Sequence, residues 1–420
     1  MRRFTDYKDS GSDRIGYMPN HWTIRRIKDI GAIQYGLGQP PEYKETGLPF
    51  VRATNVTKGK ITDEGLVYVA AEDVPTSRNP LLRENDIIVV RSGANTADSA
   101  LVPARYAGAV AGYDMVIRAK SIVPHYLSYS LLSSYLLESQ LQLQSFRAAQ
   151  PHLNKEQLGH ALVLCPPLPE QQAIADYLDA KTAQIDRKIG LLTQKAAKYR
   201  QLKQAILNAA VTQGLDQSAP MKDSGVEWIG EVPANWQMYR HKDCLSLVTN
   251  RCGDSSLTKV ALENIEGQTG RYIPTENEYD GDGIQFRIGD ILFGKLRPYL
   301  AKVYLAEFEG SAVGDIFVYR PKPNILSGFA QRLMLSKRYL DVINSSTAGA
   351  KMPRVSADFI SDLPVFVPSL PEQHAIIQFL DDRTGQIDRI VEAINTQVDK
   401  LQYLRKSLIN AVVTGKLRVT

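Results

Sequence analysis

Apolar side chains recur three or four positions apart at Ile174, Leu178, Ile185, Ile189, Leu192, Ala196, Tyr199, Leu202 and Ile206. That spacing places them on one face of an α-helix. The stripe returns 202 positions later as Ile376, Leu380, Ile387, Val391, Ile394, Val398, Leu401, Leu404 and Leu408. Two such stripes, each interrupted near Lys181 and Arg383, predict a pair of helices that pack as a coiled coil. Pro169 and Pro371 suit a first helical turn, and Glu170 and Glu372 favour the positive end of the helix dipole. Gly214 and Gly415 stand where a helix stops. At 1.5 Å rise per residue, a helix of about 45 residues between these signals is about 67 Å long.

The stripes belong to a repeat that runs through the chain. LPEQQAIADYLDAKTAQIDRKI (168–189) and LPEQHAIIQFLDDRTGQIDRIV (370–391) agree at 13 of 22 positions. KDSGSDRIGYMPNHW (8–22) recurs as KDSGVEWIGEVPANW (222–236), pairing Gly16 with Gly230, Pro19 with Pro233 and Trp22 with Trp236 at an offset of 214. Asp86 answers Asp290 at 204; from Gly112 and Gly314 onward the offset is 202, as for Arg118 and Arg320, Lys120 and Lys322, Pro151 and Pro353. Ten of the twelve residues missing from the second copy are therefore lost before Asp290. The order is domain, helix, domain, helix, with expected spans 1–167, 168–215, 216–369 and 370–420. Strand-like runs such as LPFVRATNV (48–56), DIIVVRS (86–92), DILFG (290–294) and DIFVYR (315–320) alternate with helical stretches near 125–144 and 327–344. The fold class predicted is α+β: two mixed domains separated by the two long helices.

Composition narrows the setting. The 420 residues are 44% hydrophobic and 23% charged, ordinary for a globular protein of two or three domains. The three cysteines, Cys165, Cys244 and Cys252, have no ligand spacing, so neither a disulfide framework nor a metal site is expected. The N-terminus lacks the apolar run of a signal peptide, and no apolar stretch reaches the length of a membrane span, which points to a cytoplasmic protein. A net charge of +5 leans towards an anionic partner.

Catalytic signatures are missing. The Gly-Lys pairs at 59–60, 294–295 and 415–416 precede Ile or Leu and lack the glycine-rich cradle of a phosphate loop. An Asn-Pro-Pro-aromatic pattern, expected of an amino-methyltransferase, does not occur, and the six histidines are scattered. The expected chain is therefore not an enzyme and holds no cofactor. Basic and amide residues gather instead in segments expected to be loops or strand ends. In the first domain they are Arg52, Lys58, Lys60, Arg91, Asn95, Arg147 and His152. In the second they are Arg251, Lys259, Lys295, Arg297, Lys351 and Arg354. Arg can fork onto guanine and Asn onto adenine in the major groove, while Lys and Arg also neutralise phosphates, so these are the candidate contacts to double-stranded DNA.

IGEVPANW (229–236), KLRPYLAKV (295–303), AGAKMPRVS (348–356), both helix starts LPEQQAI and LPEQHAI with their QIDR, and the ends AAVTQG and AVVTG carry a resemblance. Over nearly its whole length the chain resembles the specificity subunits of type I restriction-modification enzymes. The resemblance implies two target-recognition domains, each reading half of a bipartite DNA site, and two conserved helices forming an antiparallel coiled coil with a pseudo-twofold relation between the copies. It implies partners too: methylation subunits, expected in two copies, using S-adenosylmethionine to modify adenine, and restriction subunits using ATP and Mg. Because the two domains differ, an asymmetric split target is expected, with specificity concentrated where the copies lose register, 34–85 and 250–289. The first domain departs from the pattern, with VVRSGANTADS (89–99) where the second has FGKLRPYLAKV (293–303).

Overall fold

The computed structural model describes residues 3–75, 80–145, 151–253, 256–275, 277, 279, 281–349 and 351–419. It separates into two compact units, one of residues 1–192 with 396–420 and one of residues 193–395. Each therefore contains one α+β domain, the first or last half of the long helix Leu168–Gln213, and the complementary half of the long helix Leu370–Val413.

In the first unit the domain is built on an antiparallel sheet in the order Ser99–Leu101, Ile87–Val89, Met115–Ala119, Gly31–Tyr35. Ile87, Val89, Met115 and Ile117 face the long helices, where they join Ile174, Leu178, Ile409, Val412 and Val413 in one core. Ile88, Val90 and Val116 face the other way into a second core with Val51, Val56 and Ile61. A sheet buried on both faces needs continuous apolar strands, which is why 87–90 reads as an unbroken hydrophobic run.

The second unit repeats this sheet as Val303–Leu305, Ile291–Gly294, Ile316–Pro321, Leu245–Val248. Ile291, Phe293 and Tyr319 pack with Leu207, Val211, Ile376 and Leu380; Leu292 and Val318 face the second core with Val260, Phe286 and Tyr304. Its charged edge is also repeated: Arg118 pairs with Asp86 and Arg320 with Asp290.

The copies diverge in the second sheet. Both contain a parallel pair, Leu48–Val51 beside Val110–Ala111 and Thr258–Val260 beside Gly310–Ala312. In the first unit Val67–Val69 and Tyr43–Lys44 extend the Leu48–Val51 side. In the second, Gly283–Phe286 and Arg251–Cys252 extend the opposite side, beyond Gly310–Ala312. The Gly310–Ala312 edge has its counterpart in the first unit, where Leu81 bridges Val110 and Ala111 donates to the Pro80 carbonyl. Val67–Val69 and Tyr43–Lys44, in contrast, have no counterpart beside Thr258–Val260 among the described strands of the second unit; the repeat loses register over 34–85 and 250–289. A local frame survives even there. Asn55 accepts from the Arg52 N–H and Asn264 from the Ala261 N–H, each closing a single 3₁₀ turn.

The long helices are mounted in the same way in each unit. Buried Trp22 donates to Glu170 at 3.2 Å, and Trp236 to Glu372 at 3.0 Å. Gln171 bridges the Val123 N–H and the Pro166 carbonyl; Gln373 bridges the Leu326 N–H and the Pro368 carbonyl. Each helix ends at a glycine in the left-handed region, Gly214 at φ 75° and Gly415 at φ 69°. A Cβ on Gly415 would lie 2.4 Å from the Pro19 ring, so only glycine fits.

Within each unit the helix halves run antiparallel. Asp186 meets Arg405 in the first and Asp388 meets Lys203 in the second. These pairs correct part of the expected seam. Ile174, Leu178, Ile376, Leu380, Ile387 and Ile394 are buried, and Ile185, Ile189, Leu192, Tyr199, Ile206, Val391, Val398, Leu401 and Leu408 are partly so. Leu202 and Leu404 stand 48% and 52% exposed. After Tyr199 and Leu401 the inward face falls four positions on, at Lys203 and Arg405, and then at Leu207 and Ile409. A polar residue takes the seam because its charge is matched there, which a pattern of apolar letters cannot reveal.

Candidate nucleic-acid interface

Arg91 leaves the first sheet with its backbone N–H on the Asp114 carboxylate at 3.0 Å and its carbonyl accepting from Leu153 at 2.8 Å. Its guanidinium lies 4.5 Å from the ring centres of both Tyr35 and Tyr113, a cation held between two aromatic faces. Burial pushes the Asp114 carboxyl up to about 6, against the opposing pull of the Arg91 N–H and charge. Ser92 pairs with His152 across a short bridge, and Asn95 points its amide at the carbonyls of Ala53 and Val56 at 3.5 and 3.4 Å. Lys58, at φ 45°, directs its backbone N–H to Asp98. Arg91, Asn95, His152 and Lys58 are thus brought to one edge.

The second unit builds the same edge from different residues. Leu296 pairs with Arg354 as Ser92 does with His152, and Val355 donates to the Lys295 carbonyl as Leu153 does to Arg91. The backbones match in detail: Gly93 and Ala97 have positive φ, and so do Arg297 and Ala301 at the equivalent positions. For Arg and Ala this conformation costs about 1 kcal/mol each, strain of the kind found at functional sites. Arg354 forks onto Asp315 at 3.2 and 2.9 Å, and Lys295 approaches the same carboxylate at 3.8 Å while lying 5.2 Å from the Phe317 ring centre. The hydrogen bond from Arg354 holds the Asp315 carboxyl below its ordinary range. Lys351 is exposed in the turn closed by Ala348 and Arg354, next to Met352, while Tyr299 is exposed in the 295–301 loop.

The other candidates lie elsewhere. Arg52 donates to the Gly65 carbonyl and covers the Tyr43 ring. Lys60 is paired with Asp186 of the long helix at 2.5 Å. Lys259 donates to the Tyr279 carbonyl, and Arg251 is exposed on an outer strand of the second sheet. Arg147 lies outside the described residues. Sequence reasoning missed Tyr35, Tyr113, Asp114 and Asp315. Matching VVRSGANTADS (89–99) with FGKLRPYLAKV (293–303) at offset 204 finds the loop, although not its partners. Among the described residues no group of three or more His, Cys, Asp or Glu could hold a metal ion, and no helix is long and apolar enough to cross a membrane.

Residues 19–197 and 233–400 match the family model of the type I restriction modification DNA specificity domain, once in each copy of the repeat. Among curated proteins the chain is similar to the specificity subunit of the Escherichia coli type I restriction enzyme EcoDI, at 25% identity over 64% of this chain and 65% of that protein. It is also similar to the MjaVIII specificity subunit of Methanocaldococcus jannaschii, at 22% identity over 96% of this chain and 94% of that one. Among solved structures, a chain from work on complex assembly and conformational transition of the type I R-M system superposes with a TM-score of 0.71 at 17% identity, covering 95% of this chain and 99% of its own. The fold is therefore shared across nearly the full length, and with both copies of the repeat matched, the chain belongs to the type I restriction-modification DNA specificity family.

Proposed function

We propose that each domain of this DNA specificity subunit reads one half of an asymmetric, bipartite DNA site, and that the long helices act as spacer and as docking platform for two methylation subunits. Chemistry belongs to the partners in this reading: methylation subunits bind S-adenosylmethionine, and restriction subunits bind ATP and Mg. The observation that carries it is a constant frame with a changed insert. The first sheet and the helix mounts are built twice alike, whereas the second sheets differ in their outer strands and the two basic edges differ residue by residue. Groups held by the common frame suit phosphates, which carry no sequence directly, and the divergent groups suit bases.

The test is to replace residues 34–85 with the equivalent segment of a relative and to map methylated adenines with the methylation partner present. One half-site should change while the other stays. A change in both halves, or in neither, overturns the modular reading. Chain free of partners should transfer no methyl group, and transfer by it would reassign the protein as an enzyme.

A further inference from the structure

Both long helices carry QIDR, and in each unit its aspartate is the meeting point of two cations. Asp186 lies 2.5 Å from Lys60 Nζ and 3.1 Å from Arg405 Nε. Asp388 lies 2.7 Å from Lys203 Nζ and 3.2 Å from Arg271 Nη2. Arg405 and Lys203 come from the opposing helix, whereas Lys60 and Arg271 come from the α+β domain.

The two domain cations are equivalent in structure but not in sequence register. Lys60 precedes Ile61, which pairs with Val56; Arg271 precedes Tyr272, which pairs with Ile265. Both lie in the segments where the repeat has drifted apart. A cation nonetheless returns to the same carboxylate, with Lys and Arg exchanged between the domain and helix positions. Seven residues earlier, two turns along the same helix face, Asp179 accepts from His125 at 2.9 Å and from Tyr129 at 2.7 Å. Asp381 is paired with Arg332 at the corresponding place. Beyond the shared core and the Trp and Gln mounts near its start, each helix thus meets its domain at two polar points, at the turn carrying Lys60 or Arg271 and at the helix Pro124–Leu131 or Ser327–Leu335. Clefts of about 460 and 690 Å³ border these contacts.

We infer that Asp186 and Asp388 are positioning residues for recognition: each sets the angle of its unit's domain on the long helix, and with it the spacing at which that half-site is accepted. This rests on the bipartite reading proposed above. The assembled methylating complex is tested on substrates with the natural half-sites and a spacer that is natural, one base pair shorter or one longer. Asp186→Asn, Asp388→Asn and Lys60→Met should each lower the preference for the natural spacer by about fivefold, the scale of a partly exposed ion pair. Lys60→Arg should keep the original profile, because arginine does this work in the second unit. A purely structural role would lower activity equally on all three spacers, and an unchanged profile in active variants overturns the inference.

Hydrogen exchange on the full chain tests the latch without DNA. Asp186→Asn should raise exchange across 56–62 about fivefold, matching loss of one such ion pair, and leave 265–273 unchanged. No rise overturns the latch. A wild-type complex that reads no split site overturns the functional reading instead, and the exchange result still decides the contact.

Discussion

At the scale of single residues, the edge at Arg91 shows what sequence reading reaches and where it stops. That Arg91 and His152 occupy one edge follows from their alignment with Lys295 and Arg354, but the partners that orient them do not, because Tyr35, Tyr113 and Asp114 are brought in by folding from more distant positions. Held between two rings, the guanidinium keeps little freedom to lose on binding. Arg91→Ala should weaken binding of the assembled complex to its site by about 10- to 100-fold, within the range of one good base contact. Arg91→Lys should recover only part, since an ammonium neither forks nor stacks. Binding measured against salt separates the roles: a phosphate contact flattens the slope by about one, and a base contact relaxes sequence choice in one half-site. Unchanged affinity, slope and specificity would place Arg91 off the DNA.

His241 invites a residue-scale test of a different kind. It is 1% exposed, neither ring nitrogen has a hydrogen-bond partner among the described residues, and burial pushes its pKa down to about 3. At the corresponding position the first domain has buried Ile27. The folded pKa lies below the unfolded value near 6.5, so the unfolded state takes up the proton first. Stability is complete above about pH 6.5 and falls by about 1.4 kcal/mol per unit as pH drops towards 3. His241→Ile should remove that slope from the second unit. Denaturant unfolding at pH 7 and pH 5 reads the difference, and equal pH slopes for the two proteins would show that His241 is not its source.

Elements were legible in proportion to how much their own sequence determines them. The long helices announce themselves because proline, the periodic stripe and glycine all agree, and because the repeat states each signal twice. The first sheet is also readable, since burial on both faces demands the apolar runs seen at 87–90, 291–293 and 316–319. The second sheets were not. Tyr43–Lys44 and Arg251–Cys252 are two-residue strands whose pairing is fixed by tertiary contacts rather than by any periodicity. The helix seam lies between these cases. Its path was right up to Tyr199 and Leu401 and then left the leucines for Lys203 and Arg405, because Asp388 and Asp186 make a charge acceptable there. In other coiled coils a single polar seam residue fixes register at a cost in stability.

For the whole molecule, the decisive facts are that each long helix is continuous and contributes to both compact units. Its length is therefore a candidate ruler for the distance between half-sites. Seven residues inserted into both helices, after Leu192 and after Ile394, keep the heptad pattern and leave Asp186 with Arg405 and Asp388 with Lys203. Each helix grows by about 10 Å, and the face drifts by only about 20°. At about 3.4 Å per base pair, the preferred spacer should lengthen by up to three base pairs with both half-site sequences retained. Insertion into one helix alone shifts one stripe against the other and separates the Asp-cation pairs, so that variant should lose stability. The doubly extended protein, assembled with its methylation partner, is read on substrates that differ only in spacer. If it is folded and active yet keeps the original preference, the distance between the halves is set by the methylation subunits, and the helices serve them as a platform alone.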